Sequence, residues 1–263
     1  MFFKYPYFKF NGKSSRDFQL RLCEVGSSSS QTSPFGVSRT IEKDTTSGFT
    51  TKVKSITYSD TSFDITLIKT DGNIPLPITE SEKFEIISWL FQDEFKPLIS
   101  EDDESKIYYA IFTKGSSYQN GLKQGYINLT VQLNAPCAFS PIQTGYFTVE
   151  GETFVDLVNQ SNVGMFIEPD FEFQLKGDAT SFKIENLNTG DVMSFEGLPV
   201  GSHIQCYNEG MKQAISITDP DLTVRRYMTD KAWIRLAKGK NRLRITSEFA
   251  SVSIIGQARL ALS

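Results

Sequence analysis

Gly125-Tyr126-Ile127-Asn128-Leu129-Thr130-Val131-Gln132-Leu133, running into Asn134-Ala135-Pro136-Cys137-Ala138-Phe139-Ser140-Pro141, is the stretch on which the fold turns. Its first part sets Ile127, Leu129, Val131 and Leu133 against Asn128, Thr130, Gln132 and Asn134. That period of two is the mark of a strand with one buried face. Its second part holds Pro136 and Pro141. Proline cannot donate to a ladder and fixes its own backbone angle, so pairing stops and the link stiffens. A strand that ends on such a break marks a boundary. Residues 1–138 are expected to form one domain and 139–263 a second, with the last strand free to return to the first.

Working back from the boundary, the first half reads as strands with one helix. Asp17 to Cys23 alternates polar and apolar. Gly26, Ser27 to Ser30 and the residues up to Pro34 cannot bury apolar area and read as a loop. Arg39 to Asp60 is polar and rich in Thr and Lys, a hairpin with its tip expected between Asp44 and Gly48. An isolated two-stranded hairpin with little core is marginal, so it calls for pairing with something else, such as a neighbouring subunit. Phe63 to Ile68 is a clearer strand, ended by Asp71-Gly72. Thr79-Glu80-Ser81-Glu82 is a capping box, and Pro77 before it suits a helix entry. The helix is expected over about 80–92, stopped before Pro97. Phe84, Ile87 and Phe91 share one face, with Leu90 beside them, and that stripe is expected to pack in the core. Glu101-Asp102-Asp103-Glu104 lacks the spaced ligands and glycine of a calcium loop and reads as solvated. Ile107 to Phe112 is expected to pair with Gly125 to Leu133 through a polar loop, Gly115 to Gly121.

Beyond the boundary the pattern changes to short alternating strands with turns about every ten residues and no helix. Phe171 to Leu175, Ser181 to Leu187 and Ser251 to Ile255 are examples. Such a run implies a β-sandwich or jelly roll. Composition agrees. The 263 residues are 39% hydrophobic and 22% charged, enough for a packed core, and 21 are Phe, which favours strands.

Little in the sequence suggests chemistry. Net charge is −4 and the basic residues are scattered, so nucleic-acid contact is not expected. Cys23, Cys137 and Cys206 are odd in number and far apart, with no CxxC, and read as free, mostly buried thiols. Neither a signal peptide nor a membrane span is evident, so synthesis and folding in a cytoplasm without membrane insertion is the expectation. The one histidine, His203, adjoins Ser202, but neighbours on a strand point to opposite faces and cannot form a dyad. Asp156, Glu168, Asp170 and Glu172 form the nearest approach to a carboxylate cluster, the minimum a glycosidase needs. Phosphate-binding, dinucleotide and metal motifs are missing. The chain is therefore expected not to be an enzyme, with no catalytic residue, cofactor or metal assigned. The rival reading is a carbohydrate-binding or adhesin sandwich, with Trp233, Tyr207 and Tyr227 as the available aromatics.

A series of segments, taken in order, resembles the distal tail protein (Dit) family of long-tailed siphophages. They are Phe10-Asn11-Gly12, the strand Phe18 to Leu22, the long hairpin, Ile87-Ser88-Trp89-Leu90, Tyr108-Tyr109-Ala110, and the strand into Pro136-Cys137-Ala138-Phe139. Phe195 to Ile204 and the closing Trp233 to Ile245 follow. The resemblance implies a mainly β chain: an N-terminal β-sandwich-like ring domain with one α-helix and an extended hairpin, then a C-terminal galectin-like or jelly-roll β-sandwich. It further implies a homo-oligomeric ring, usually a hexamer, at the tip of the tail in the virion. Its expected partners are the major tail tube protein, the tail-tip hub or tail-associated protein, and receptor-binding proteins that serve host adsorption.

Overall fold

The computed structural model describes residues 6–23, 39–44, 51–58, 61–120, 124–164, 166–208 and 212–261. The expected serine-rich loop and the hairpin tip lie outside these residues. The chain is mainly β, with a single α-helix among the described residues, and divides into two compact units. The first is 1–139 with 260–263, the second 140–259.

In chain order the first unit holds β1 (Phe8–Phe10), β2 (Lys13–Ser14), β3 (Leu20–Leu22), β4 (Arg39–Asp44), β5 (Lys52–Tyr58), β6 (Ser62–Asp71), β7 (Ile74–Pro75), α1 (Glu80–Leu90), β8 (Lys96–Ser100), β9 (Asp103–Gln119), β10 (Gly125–Leu133) and β11 (Ala138–Phe139). One curled antiparallel sheet runs β2-β1-β8-β9-β10-β6-β3. The alternation that opened the sequence reading is β10, which buries Ile127, Leu129, Val131 and Leu133. Its partner β9 is longer than the sequence implies. Gly115, Ser116 and Ser117, read as loop, stay in the ladder opposite Leu129, Asn128 and Ile127. Small polar residues carry no strand signal of their own, and a long partner holds them.

Helix α1 starts as its capping box requires. Thr79 Oγ1 accepts from the Glu82 amide, and Glu82 accepts from the Thr79 amide at 2.8 Å. The buried face is not the expected one. Ile86, Trp89 and Leu90 turn inward, whereas Phe84, Ile87 and Phe91 face out. This helix is apolar on two sides, and Trp89 decides between them. Its Nε1 donates to Phe10 O at 2.9 Å, and its ring stacks on Phe18 at 4.4 Å. An indole buried with its N–H satisfied fixes the rotation of the whole helix. Pro97, expected to halt the helix, stands inside β8. Nor is Glu101 simply solvated. Its carboxylate accepts from Ser14 Oγ at 2.5 Å and Arg16 Nε at 2.7 Å.

The second unit holds β12 (Gln143–Asn159), β13 (Asp170–Leu175), β14 (Phe182–Asn186), β15 (Val192–Phe195), β16 (His203–Tyr207), β17 (Gln213–Ser216), β18 (Met228–Lys231) and β19 (Gly239–Gly256). The expectation of short strands fails for β12 and β19, which pair along almost their whole length. A register shift between Val149 and Gly151 bends the ribbon, and Gly151 takes φ 72°, where a side chain would be strained. On the two sides of that bend β19 pairs its other edge with different strands, with β14 through Leu243 to Thr246 and with β13 through Ala250 to Ile255. The order β17-β16-β13-β19-β14-β15-β18 thus curls on itself. Phe173 of one limb stacks on Phe182 of the other at 3.9 Å, and Phe195 packs against the pair.

The closing segment Trp233 to Asn241 owes its pattern to four buried asparagines. Asn159 and Asn208 donate to Leu236 O and Ile234 O, and Asn186 to Arg235 O. Asn241 donates to Ala237 O at 2.7 Å and accepts from the Ala237 amide at 2.9 Å. Irregular backbone under a core must find partners for its polar groups, and these amides supply them. The unit's ends meet. The Ser140 amide donates to Ala258 O at 2.8 Å, and the Ala258 amide donates to Ser140 Oγ at 2.9 Å. The chain then closes with β20 (Arg259–Leu260), which pairs with β11, and Leu260 packs on the first unit's core.

Candidate functional site

Two surfaces of the first unit are left apolar. The hairpin β4–β5 forms a two-stranded sheet that, among the described residues, joins no other strand. Ile41 stands opposite Ile56, and Lys43 opposite Val53. Cross-strand partners share a face, as do residues two apart, so Ile41, Ile56 and Val53 lie on one side. All three are exposed. The second surface is the outer face of α1, where Phe84 is 72% and Ile87 52% exposed. Phe95, beyond the helix, is exposed as well. Beside this face runs an apolar groove of about 230 Å³, lined by Ile87, Phe91, Leu129 and the bare backbone of Gly115. A Cβ at Gly115 would stand 2.8 Å from the tip of the Phe91 ring, which would have to move aside.

The two surfaces differ in charge. The described hairpin strands carry Lys43, Lys52 and Lys54 against Glu42 and Asp44, with Lys54 paired to Glu42. The helix and the turn after it carry Glu80, Glu82, Glu85, Asp93 and Glu94 against Lys83. Glu82 is committed to the unit's own structure. The Lys69 ammonium at 2.5 Å and the Thr79 amide hold its carboxyl below the usual range.

In the second unit exposed apolar side chains such as Phe154 and Val158 flank Asp156, but the four acidic residues grouped by the sequence are separate. Asp156 pairs with Lys240 and Glu168 with Lys212, each at 3.0 Å, and Asp170 accepts from the Asn208 amide. Only Glu172 meets His203, through Nε2. Ser202 turns into the core and donates to Pro199 O at 2.6 Å. Cys206 lies on the core face, and burial pushes its thiol well up, away from nucleophile chemistry. Asp191 serves a structural end. Burial alone would raise its carboxyl, but hydrogen bonds from Arg235 and Thr189 outweigh that and hold it below the usual range. Of the aromatics named from sequence, Trp233 and Tyr227 pack partly against the core, and Tyr207 is half exposed. The most exposed ring of this unit, Tyr146, was not singled out. No metal-binding group of His, Cys, Asp and Glu occurs among the described residues, and no described helix is long and apolar enough to cross a membrane.

The family model described as "phage tail protein N-terminal domain" matches residues 3–135. The chain belongs to this family. The match covers the part that contains the hairpin, α1 and the sheet around them. Search of the curated proteins gave no match. Among solved structures, the chain is similar to the SPP1 Dit (gp 19.1) protein, described as a paradigm of the hub adsorption apparatus in phages that infect Gram-positive bacteria. Identity is 12%, coverage 95% of this chain and 98% of that one, and the TM-score 0.64. It is also similar to a chain of the phage P2 baseplate in its activated conformation with Ca. Identity is again 12%, coverage 95% and 97%, and the TM-score 0.52. At such identity the likeness is one of fold, and it spans both units. The mainly β architecture and the phage-tail resemblance read from the sequence therefore both hold.

Proposed function

We propose that this phage tail protein is a structural component of the tail tip, assembling head-to-tail into a ring, of six copies on the Dit resemblance. The ring joins the tail tube protein to the tail-tip hub and serves as a platform for host-adsorption proteins in the virion. One observation carries the reading. The first unit bears two different apolar surfaces, of opposite charge, that its own described residues leave uncovered. A closed ring needs two unlike patches that complement each other on successive copies. The hairpin face of one copy, with Lys43 beside Ile41, Val53 and Ile56, suits the acidic helix region around Phe84 and Ile87 of the next. Charge complementarity would set the register, and apolar burial would hold it. The description of the SPP1 protein as part of an adsorption hub supports the same assignment.

Size-exclusion chromatography with light scattering, followed by electron microscopy, tests it on the full chain. Rings are expected from the wild type. The double variant F84D/I87D is expected to stay monomeric while keeping its thermal unfolding profile, since both side chains are exposed. Rings that persist in the double variant would sink the proposed contact. A wild type that is monomeric at high concentration, alone and with its tail neighbours, would sink the ring.

A further inference from the structure

The second unit carries a feature the ring does not use. On the solvent side of its sheet, two transverse rows of side chains cross four strands in register. One row is Tyr146, Ser253, Glu172 and Gln205, and the other is Thr148, Ser251, Gln174 and His203. The middle strand, β19, contributes only the serines, and the strands beside it stand taller. The result is an open trough of about 340 Å³, floored by Ser251 and Ser253. Tyr146 forms one wall, 80% exposed. Glu172 and His203 form the other, held to each other through His203 Nε2.

The dimensions and chemistry restrict what fits. The walls stand on strands two places apart, about 10 Å by the inter-strand spacing. That is room for a single six-membered ring between them. A helix with its side chains is about 10–12 Å across and would not enter. The lining has no lysine or arginine, and its one carboxylate is answered by a histidine. A phosphate or other anion therefore finds no charge partner. The polar groups are carboxylate, amide, hydroxyl and imidazole, which between them donate and accept, as ligand hydroxyls also do. The exposed ring of Tyr146 offers a flat apolar face beside them. A ligand with one C–H face and a rim of hydroxyls answers both halves.

We propose that this trough binds a neutral saccharide, with a pyranose ring stacked on Tyr146 and its hydroxyls held by Glu172, Gln174 and the floor serines. The His203 contact fixes the Glu172 carboxylate, so His203 is a positioning residue. The site does not depend on the ring, so its failure would leave the assembly reading untouched.

Saturation-transfer NMR on the full chain with glucose, galactose, N-acetylglucosamine and their trisaccharides tests the idea. At least one is expected to receive saturation on its C–H face at millimolar concentration. Tyr146→Ala should weaken that sugar about five- to tenfold, the size of a lost aromatic contact. Tyr146→Phe should bind like the wild type, because the ring face and not the hydroxyl makes the contact. Glu172→Gln should weaken binding without changing the unfolding profile. A panel that gives no transfer overturns the proposal, and so does a Tyr146→Ala variant that binds as the wild type does.

Discussion

The two units dispose of their irregular pieces in opposite ways. In the second, the segment Trp233 to Lys238 makes a single bridge, Leu236 to Ile167, and Asn159, Asn186, Asn208 and Asn241 answer more of its backbone from within the same unit. In the first, the hairpin β4–β5 and the outer face of α1 have apolar side chains that nothing in the described chain covers. The second unit exposes apolar side chains too, Phe154, Val158 and Val200 among them, so the contrast lies in the backbone: one unit answers its irregular segment internally, and the other holds a hairpin that, among the described residues, joins no other strand. On the ring proposal, that hairpin and the outer face of α1 are the surfaces offered to the next copy.

Three measurements would break or sharpen that contrast. The largest effect belongs to the finished unit. Phe173, fully buried and stacked on Phe182, joins its two limbs. Phe173→Ala should cost about 3–5 kcal/mol in chemical unfolding of the full chain. A loss under ~1 kcal/mol, the size of an ordinary surface change, would mean that the limbs are held elsewhere.

Next is Asp191, which accepts two hydrogen bonds from the Arg235 guanidinium, at 2.8 and 3.1 Å, and a third from the Arg235 backbone amide. Its carboxyl is held below the ordinary value of 3.8, so folding favours the charged form. Its stabilisation is complete above that value and is lost as pH falls through the lower folded one. Asp191→Asn should therefore cost about 1–2 kcal/mol at neutral pH, discounted because Arg235 is partly in water. The gap to the wild type should shrink as the solution is acidified. A gap that stays constant with pH would show that the ion pair is not its source.

Smallest is Phe84→Ala, measured on the dissociated chain at high dilution. Removing a side chain that is mostly in water should shift stability by less than about 0.5 kcal/mol. A larger loss would place Phe84 in the unit's own core and dissolve the contrast between the two units.

Much of this architecture could be read before it was seen, and the failures have physical causes. The alternation of Gly125 to Leu133 and the capping box at Thr79 are local signals, complete within a few residues, and both stand. The wrong helix face came from a sequence with two apolar stripes, where only the distant carbonyl of Phe10 tells which is inside. The sequence ends β9 before Gly115, because glycine and serine punctuate a sequence whether or not a partner strand spans them, and the length of β12 and β19 comes from their mutual pairing, which no local signal carries. The trough was invisible for a related reason. Its residues at 146, 172, 203 and 251 come together only through strand register, and each looks like an ordinary polar position on its own strand. The alternation of Glu172 and Gln174 with Phe171 and Phe173 was the one local hint that this sheet face is polar.

The pairing of Ser140 with Ala258 has a consequence of another kind. A segment of well over a hundred residues enters and leaves through one hydrogen-bonded doorway, and the chain then resumes the unit it had left. Anything whose two ends sit a strand's width apart can be fitted to that doorway without re-threading the rest. The second unit is in this sense an insertion in the chain of the first. A lineage could trade it for a different one while the sequence on either side stays the same.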